Sequence, residues 1–167
     1  QNFLFSLRFR ANHSVWRGIV RADGISIKNC RFGNGFASRG SIAVFMSRVE
    51  FGEHCAVAKS AEIGAANGGE ILVGRAVTFG PRTIVSTSGA RISIGSKTSF
   101  FSDCIISGMV SIGDGCLFAN NVTVLTGTHQ IYGDGTIREN DAKFLGDKPN
   151  EQLNQVVIGD DCWLGAN

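Results

Sequence analysis

The sequence predicts an all-β protein, a parallel β-helix built from hexapeptide turns. Large apolar residues fall at every sixth position over Ile94, Phe100, Ile106, Ile112, Phe118 and Val124. A small residue stands four places after each of the first five, at Thr98, Cys104, Val110, Cys116 and Val122. Glycine follows the large residue in Ile94-Gly95 and Ile112-Gly113. A helical face repeats at three, four and seven, and a half-buried strand alternates, so a period of six implies one short unit repeated.

Each hexad reads as a short strand and a turn. The large residue points into a prism core, the small one fills the corner, and glycine is expected to permit the tight turn. Three sides close a coil of about eighteen residues, which stacks Ile112 over Ile94 and pairs successive strands in parallel about 4.8 Å apart. Every buried large residue contributes about 1.5 to 3 kcal/mol, and the array is stable only as a stack. Parallel crossovers are ordinarily right-handed, and the spacing alone does not say otherwise.

Composition agrees. The chain has 167 residues, enough for one domain, and 43% hydrophobic content supports a continuous core. Its 22 glycines and two prolines suit a turn-rich stack. A net charge of +2, with scattered arginines and no basic run, gives no reason to expect nucleic acid. The five cysteines, Cys30, Cys55, Cys104, Cys116 and Cys162, make no CxxC pair and no zinc spacing. All but Cys30 occupy the small slot, so they read as buried thiols acting as small apolar side chains. Reduced thiols favour the cytoplasm.

Residues 1–23 mix Phe3, Leu4, Phe5, Leu7 and Phe9 with Arg8, Arg10, Arg17 and Arg21. The segment reads as an irregular N-terminal cap on the stack, or as a patch leaning on a membrane surface. No apolar run is long enough for a transmembrane segment, and no signal-peptide pattern is present. The first residue is not methionine, which suggests a missing upstream piece.

Residues 24–167 form the expected β-helix domain. The repeat is degenerate from Gly24 to Val49, with Ile25, Ile27, Phe32-Gly33, Ile42 and Val44 as strand residues. Phase recovers at Phe45, Phe51, Val57 and Ile63; Ala65 to Glu70 reads as a small outward loop. Val73-Gly74, Phe79-Gly80 and Val85 resume the register, and Ser86 to Arg91 shifts it by three before Ile94. Such slips belong at corners, where a turn lengthens without turning a strand's inward face.

The repeat breaks at Leu125-Thr126-Gly127-Thr128-His129 and returns at Val156-Val157-Ile158-Gly159-Asp160-Asp161-Cys162-Trp163-Leu164-Gly165. Between them the polar, non-periodic stretch around 130–155 is an extended loop longer than structural loops usually are. Loops of that size on a rigid scaffold tend to carry binding or catalysis.

The run from Ile112-Gly113-Asp114 to Val124, then Thr-Gly-Thr-His129, an excursion, and Ile158-Gly159-Asp160 to Trp163-Leu164-Gly165 resembles the hexapeptide-repeat acyltransferases. Within them it is most similar to the O-acetyltransferases of galactosides, maltose and bacterial surface polysaccharides. The resemblance covers Ile94 to Asn167 well and the first half only as generic repeats.

It implies a left-handed parallel β-helix, assembled as a homotrimer, with acetyl-CoA in the groove between neighbouring subunits. His129 matches the family's catalytic base. A neutral imidazole near pH 7 removes the proton of an acceptor hydroxyl as it attacks the thioester, worth about 10² to 10⁴ in rate. Backbone N–H groups at the coil edge would stabilise the oxyanion. Trp163 matches the tryptophan near the acceptor and the thiol end of the cofactor. Gly165 and Ala166 match positions whose backbone lines the pantetheine groove. Asp103 is the nearest match to an asparagine that contacts the acceptor hydroxyl; as a carboxylate it would accept a sugar hydroxyl's hydrogen bond or orient His129.

The implied function is acetyl-CoA-dependent O-acetylation of a saccharide or sugar-nucleotide hydroxyl, in surface polysaccharide assembly. Two other readings share the scaffold: N-acylation of an amino-sugar nucleotide, and a catalytically silent hexapeptide scaffold. The β-helical carbonic anhydrases also coil by hexads, but their zinc needs two close histidines and a third one coil earlier. His13, His54 and His129 lack that spacing, so no metal is expected. The chain stops at Gly165-Ala166-Asn167, where the resembling enzymes continue with further coils, so the C-terminal coils read as incomplete.

Overall fold

The computed structural model describes residues 19–21, 30–33, 36–45, 47–127, 133–140 and 155–166. Over them the chain winds as a three-sided parallel β-helix. The first three coils hold β1 (Ile19–Arg21), β2 (Cys30–Phe32) and β3 (Ala37–Ser38); β4 (Ser41–Phe45), β5 (Arg48–Phe51) and β6 (Ala56–Val57); β7 (Glu62–Ala66), β8 (Glu70–Val73) and β9 (Thr78–Phe79). The next three hold β10 (Ile84–Ser88), β11 (Arg91–Ile94) and β12 (Ser99–Phe100); β13 (Ile105–Ser107), β14 (Val110–Ile112) and β15 (Leu117–Phe118); β16 (Thr123–Leu125), β17 (Val156–Ile158) and β18 (Trp163–Leu164). Every third strand joins the same six-stranded sheet: sheet A from β1 to β16, sheet B from β2 to β17, sheet C from β3 to β18. Sheet A begins inside the stretch expected to be an irregular cap, because Ile19–Arg21 already pairs in parallel with β4.

The expected stacking is observed. Ile94 pairs with Ile112, and Phe100 with Phe118. All six large residues from Ile94 to Val124 are buried, as are all five small ones from Thr98 to Val122. A column of rings runs through the core, with centroids 6.3 Å apart for Phe51 and Phe79, 5.2 Å for Phe79 and Phe100, and 4.5 Å for Phe100 and Phe118.

Three details differ from the sequence expectation. The supposed outward loop at Ala65 to Glu70 is much shorter, since Ala65 is buried within β7 and Glu70 opens β8. The phase slip at Ser86 to Arg91 is likewise mostly strand: β10 runs on to Ser88, Thr87 points inward, and Arg91 starts β11. The A side is therefore lengthened by one inward residue in successive coils, and the extra length stacks in register as Ala65 against Thr87. Repeating the insertion coil after coil preserves the parallel ladder.

The third difference concerns glycine. At the corners between sheets B and C and between sheets C and A, the left-handed backbone falls just before the small slot, on residues that include His54, Lys97, Asp103, Asn121 and Asp161, with Gly115 among them. Glycine after the large residue serves another purpose: a Cβ on Gly95 would lie 2.3 Å from the carbonyl carbon of Gly113, and one on Gly52 would lie 2.6 Å from that of Gly74. The corners of successive coils touch backbone to backbone.

The small slot is also more than a filler. Thiols and hydroxyls there donate to the carbonyl of the residue after the large one in the next coil: Cys55 to Gly74 at 3.0 Å, Thr98 to Gly113 at 3.0 Å, Cys104 to Ala119 at 3.1 Å and Cys116 to Gly159 at 3.0 Å. Among the described residues no buried side-chain nitrogen or oxygen lacks a partner.

Gly95→Ala is expected to lower the urea-unfolding free energy by about 1–3 kcal/mol through overpacking against backbone. Gly159→Ala, where an added Cβ meets nothing within 4 Å, should stay within about 0.5 kcal/mol of the parent. Equal losses in the two variants would contradict a packing role for the glycine column.

Candidate functional site

The excursion leaves and re-enters the stack at one point. Its departure follows β16, where Thr126 Oγ1 accepts a hydrogen bond from the Met109 backbone N–H at 2.5 Å. Its return is Val156, whose N–H donates to the Met109 carbonyl at 3.1 Å. Gly108, with φ +96, makes room for Thr126, whose hydroxyl would otherwise collide with a Cβ. The two faces of one peptide segment thus clamp both feet of the loop. Its insertion widens the coil from eighteen positions to forty-six without disturbing the register.

His129, the expected base, lies outside the described residues, as does His13. The last described position before His129 is Gly127, with φ +102, at the corner between sheets A and B. Within the excursion, residues 137–140 form one helical turn. Thr136 and Glu139 cap it reciprocally: the Thr136 N–H donates to Glu139 Oε2 at 2.8 Å, and the Glu139 N–H donates to Thr136 Oγ1 at 3.3 Å. The Thr136 N–H and the Thr136 hydroxyl, which donates to the same Oε2 at 2.9 Å, hold the Glu139 carboxyl below its ordinary pKa. Asn140, buried, donates to the Gly135 carbonyl at 3.2 Å. The Thr-Ile-Arg-Glu spacing was a legible signal for this turn inside a stretch expected to be irregular.

Trp163 stands on the outer face of β18, 77% exposed, directly above Leu117. Gly165 and Ala166 follow it, both exposed, at the corner where sheet C passes into sheet A. A Cβ at Gly165 would meet nothing within 4 Å. Asp103 belongs to the same corner two coils earlier, since β12 stacks on β15 and β15 on β18. One edge of the prism therefore carries Asp103, Trp163, Gly165 and Ala166. The loop that contains His129 departs from a different edge of the same chain.

Asp103 is not a free carboxylate. Arg82, one coil below, grips it with two parallel hydrogen bonds of 2.6 and 2.7 Å. The Arg82 guanidinium holds its carboxyl below the usual range, chiefly through those bonds. The positive φ of 64 at Asp103 suits a short polar side chain. Arg82 escaped the sequence reading, although one coil of spacing was the available signal.

The remaining reactive groups are quiet. Burial raises the Cys55 and Cys104 thiols above their ordinary pKa, which disfavours the nucleophilic thiolate. Cys55, Cys104, Cys116 and Cys162 are free thiols. His54 is exposed on a turn between sheets B and C. Among the described residues no three His, Cys, Asp or Glu side chains converge on a point, and no helix is long and apolar enough to cross a membrane.

These features define the protein's class as a three-sided parallel β-helix with one long loop set into an unbroken stack. Compared with known proteins, the sequence matches no protein-family profile and no curated protein.

Asp103→Asn keeps the turn and removes the charge, so its effect should follow the proton. The depressed pKa stabilises the fold above the ordinary value of 3.8, and that contribution is lost as pH falls through the lower folded value. Chemical denaturation from neutral pH downward should show the variant weaker than the parent at pH 7 and the two curves converging in acid. A gap of constant size across that range would argue against the ion pair.

Proposed function

We propose that the protein is an acyltransferase that carries an acetyl group from acetyl-CoA to a saccharide hydroxyl, with His129 as the general base. The observation that supports this reading most is the clamp at Met109. A loop holding the motif histidine is pinned at both feet, and its return strand leads in register to Trp163, Gly165 and Ala166. The exposed glycine and alanine fit close approach by an extended pantetheine arm, and Trp163 offers an apolar face beside them. Acetyl-CoA would supply an activated thioester carbon there. The neutral imidazole of His129 takes the proton from the acceptor hydroxyl as the oxygen bonds to that carbon. The imidazolium then returns the proton to the departing thiolate, so the products are the acetyl ester and free CoA thiol, with no enzyme-bound acyl group.

His129 and Trp163 start from different edges of one chain, which favours a site completed between subunits. A homotrimer is the assembly proposed here, working in surface polysaccharide synthesis on the cytoplasmic side, where four free thiols stay reduced. Asp103, held by Arg82, serves the shape of the edge more than proton transfer.

Incubation with acetyl-CoA and a panel of sugars and nucleotide amino-sugars, followed through thiol release, tests the reading. His129→Ala should lower turnover by about 10² to 10⁴ while leaving the circular dichroism spectrum unchanged. Release with amino-sugars alone would replace O-acetylation by N-acetylation. Undiminished turnover in the histidine variant would remove the base.

A further inference from the structure

A groove of about 900 Å³ runs along sheet C and its corner with sheet A. It begins at Arg39 and Lys59, passes Phe101, and reaches Asn120 in the coil below Trp163. Four coil spacings of about 4.8 Å separate its ends, giving a length of about 19 Å. Three observations characterise what fits it.

Its charge is one-sided. Arg39 and Lys59 sit on adjacent coils, and no aspartate or glutamate lines the groove. Among the described residues neither cation is in an ion pair, whereas Arg48, Arg82 and Arg91 each are. Its floor is mostly apolar, with polar side chains spaced along it, and its backbone is already paired. Sheet C strands β6, β9 and β12, which make most of its length, are bonded on both sides and offer no free edge to an extended peptide. Two side-chain hydroxyls stand on the floor, Thr78 and Ser99, on adjacent coils. Asn120 completes it: its Oδ1 accepts from the backbone N–H and the hydroxyl of Ser102, at 3.2 and 3.1 Å, which leaves its Nδ2 to donate outward. Finally, Phe101 is 57% exposed at a turn position held by Arg39 in the first coil and by the small residues Ala58, Gly80, Ala119 and Gly165 in the others. An exposed ring among small residues is a stacking platform for an apolar face.

We infer that this groove binds an extended acidic saccharide, its C–H face on Phe101, its hydroxyls on Ser99 and Asn120, and its anionic group at Arg39 and Lys59. The inference rests on the acyltransferase reading only in naming the bound saccharide as the acceptor; as a binding site it stands by itself. The groove ends one coil below Trp163, so a chain lying in it would present its far end toward the proposed transfer site.

Titration calorimetry at low salt, without acetyl-CoA, tests it with tetragalacturonate as the probe and neutral tetragalactose as its control. The acidic probe should bind, the neutral one should bind at least about tenfold more weakly, and added salt should narrow the difference. The double variant Arg39→Ala, Lys59→Ala should lose about tenfold for the acidic probe alone. Phe101→Ala should weaken both probes, and all variants should keep the parent's circular dichroism. Equal binding of the two probes, or an unchanged double variant, would overturn the inference; so would hexaglutamate or ADP binding as tightly and displacing the saccharide. Acidic-probe binding with no thiol release would sustain the groove while sinking the acyltransferase reading, and release that ignores acceptor charge would do the reverse.

Discussion

Everything in this molecule depends on one contact, the approach of each coil's corner to the backbone of the next. Parallel ladders set the coils about 4.8 Å apart, and at the corner where sheet B turns into sheet C a side chain after the large residue has nowhere to go. Glycine at 33, 52, 74, 95 and 113 resolves the conflict, since an added Cβ at each would fall well inside contact distance of the coil above. Where the close approach is tolerated, the small slot can reach across and bond the exposed carbonyl, as Cys55, Thr98, Cys104 and Cys116 do. Packing and hydrogen bonding are satisfied by the same two positions of the hexad.

A stack with that rule tolerates additions that leave the register of the next coil intact. The longer A side and the excursion after Gly127 both obey it. The first repeats its extra residue from coil to coil; the second closes on itself at Met109 and hands the chain back in register. A large, polar loop can therefore be held by a rigid body without loosening the core beneath it, the condition under which a side chain on the loop can be placed for chemistry.

Charge is distributed with the same regularity. Arg48, Glu50, Glu70 and Arg91 neutralise one another across the outer face of sheet B, and Arg82 neutralises Asp103 one coil above it. These exposed pairs add little stability individually, but they leave a contrast: on the sheet C edge, Arg39 and Lys59 face a groove with no acid in it. The chain is nearly neutral overall, at +2, so only its three-dimensional arrangement makes one edge cationic.

By itself the sequence determined the parallel β-helix, the inward set from Ile94 to Val124 and the site of the excursion, because a sixfold period maps directly onto a strand and a turn. The reason for glycine was legible only as a preference: whether it answers to φ or to a neighbour depends on what lies one coil above, some twenty residues away in the chain. The same distance hid the Arg82 grip on Asp103, the Met109 clamp and the groove at Arg39, Lys59 and Phe101. Each joins residues with no local relation, and their meeting is decided by how many residues each coil contains. Hexad periodicity is a property of neighbours along the chain; an edge of the prism is a property of the stack, and only the tertiary structure assembles it.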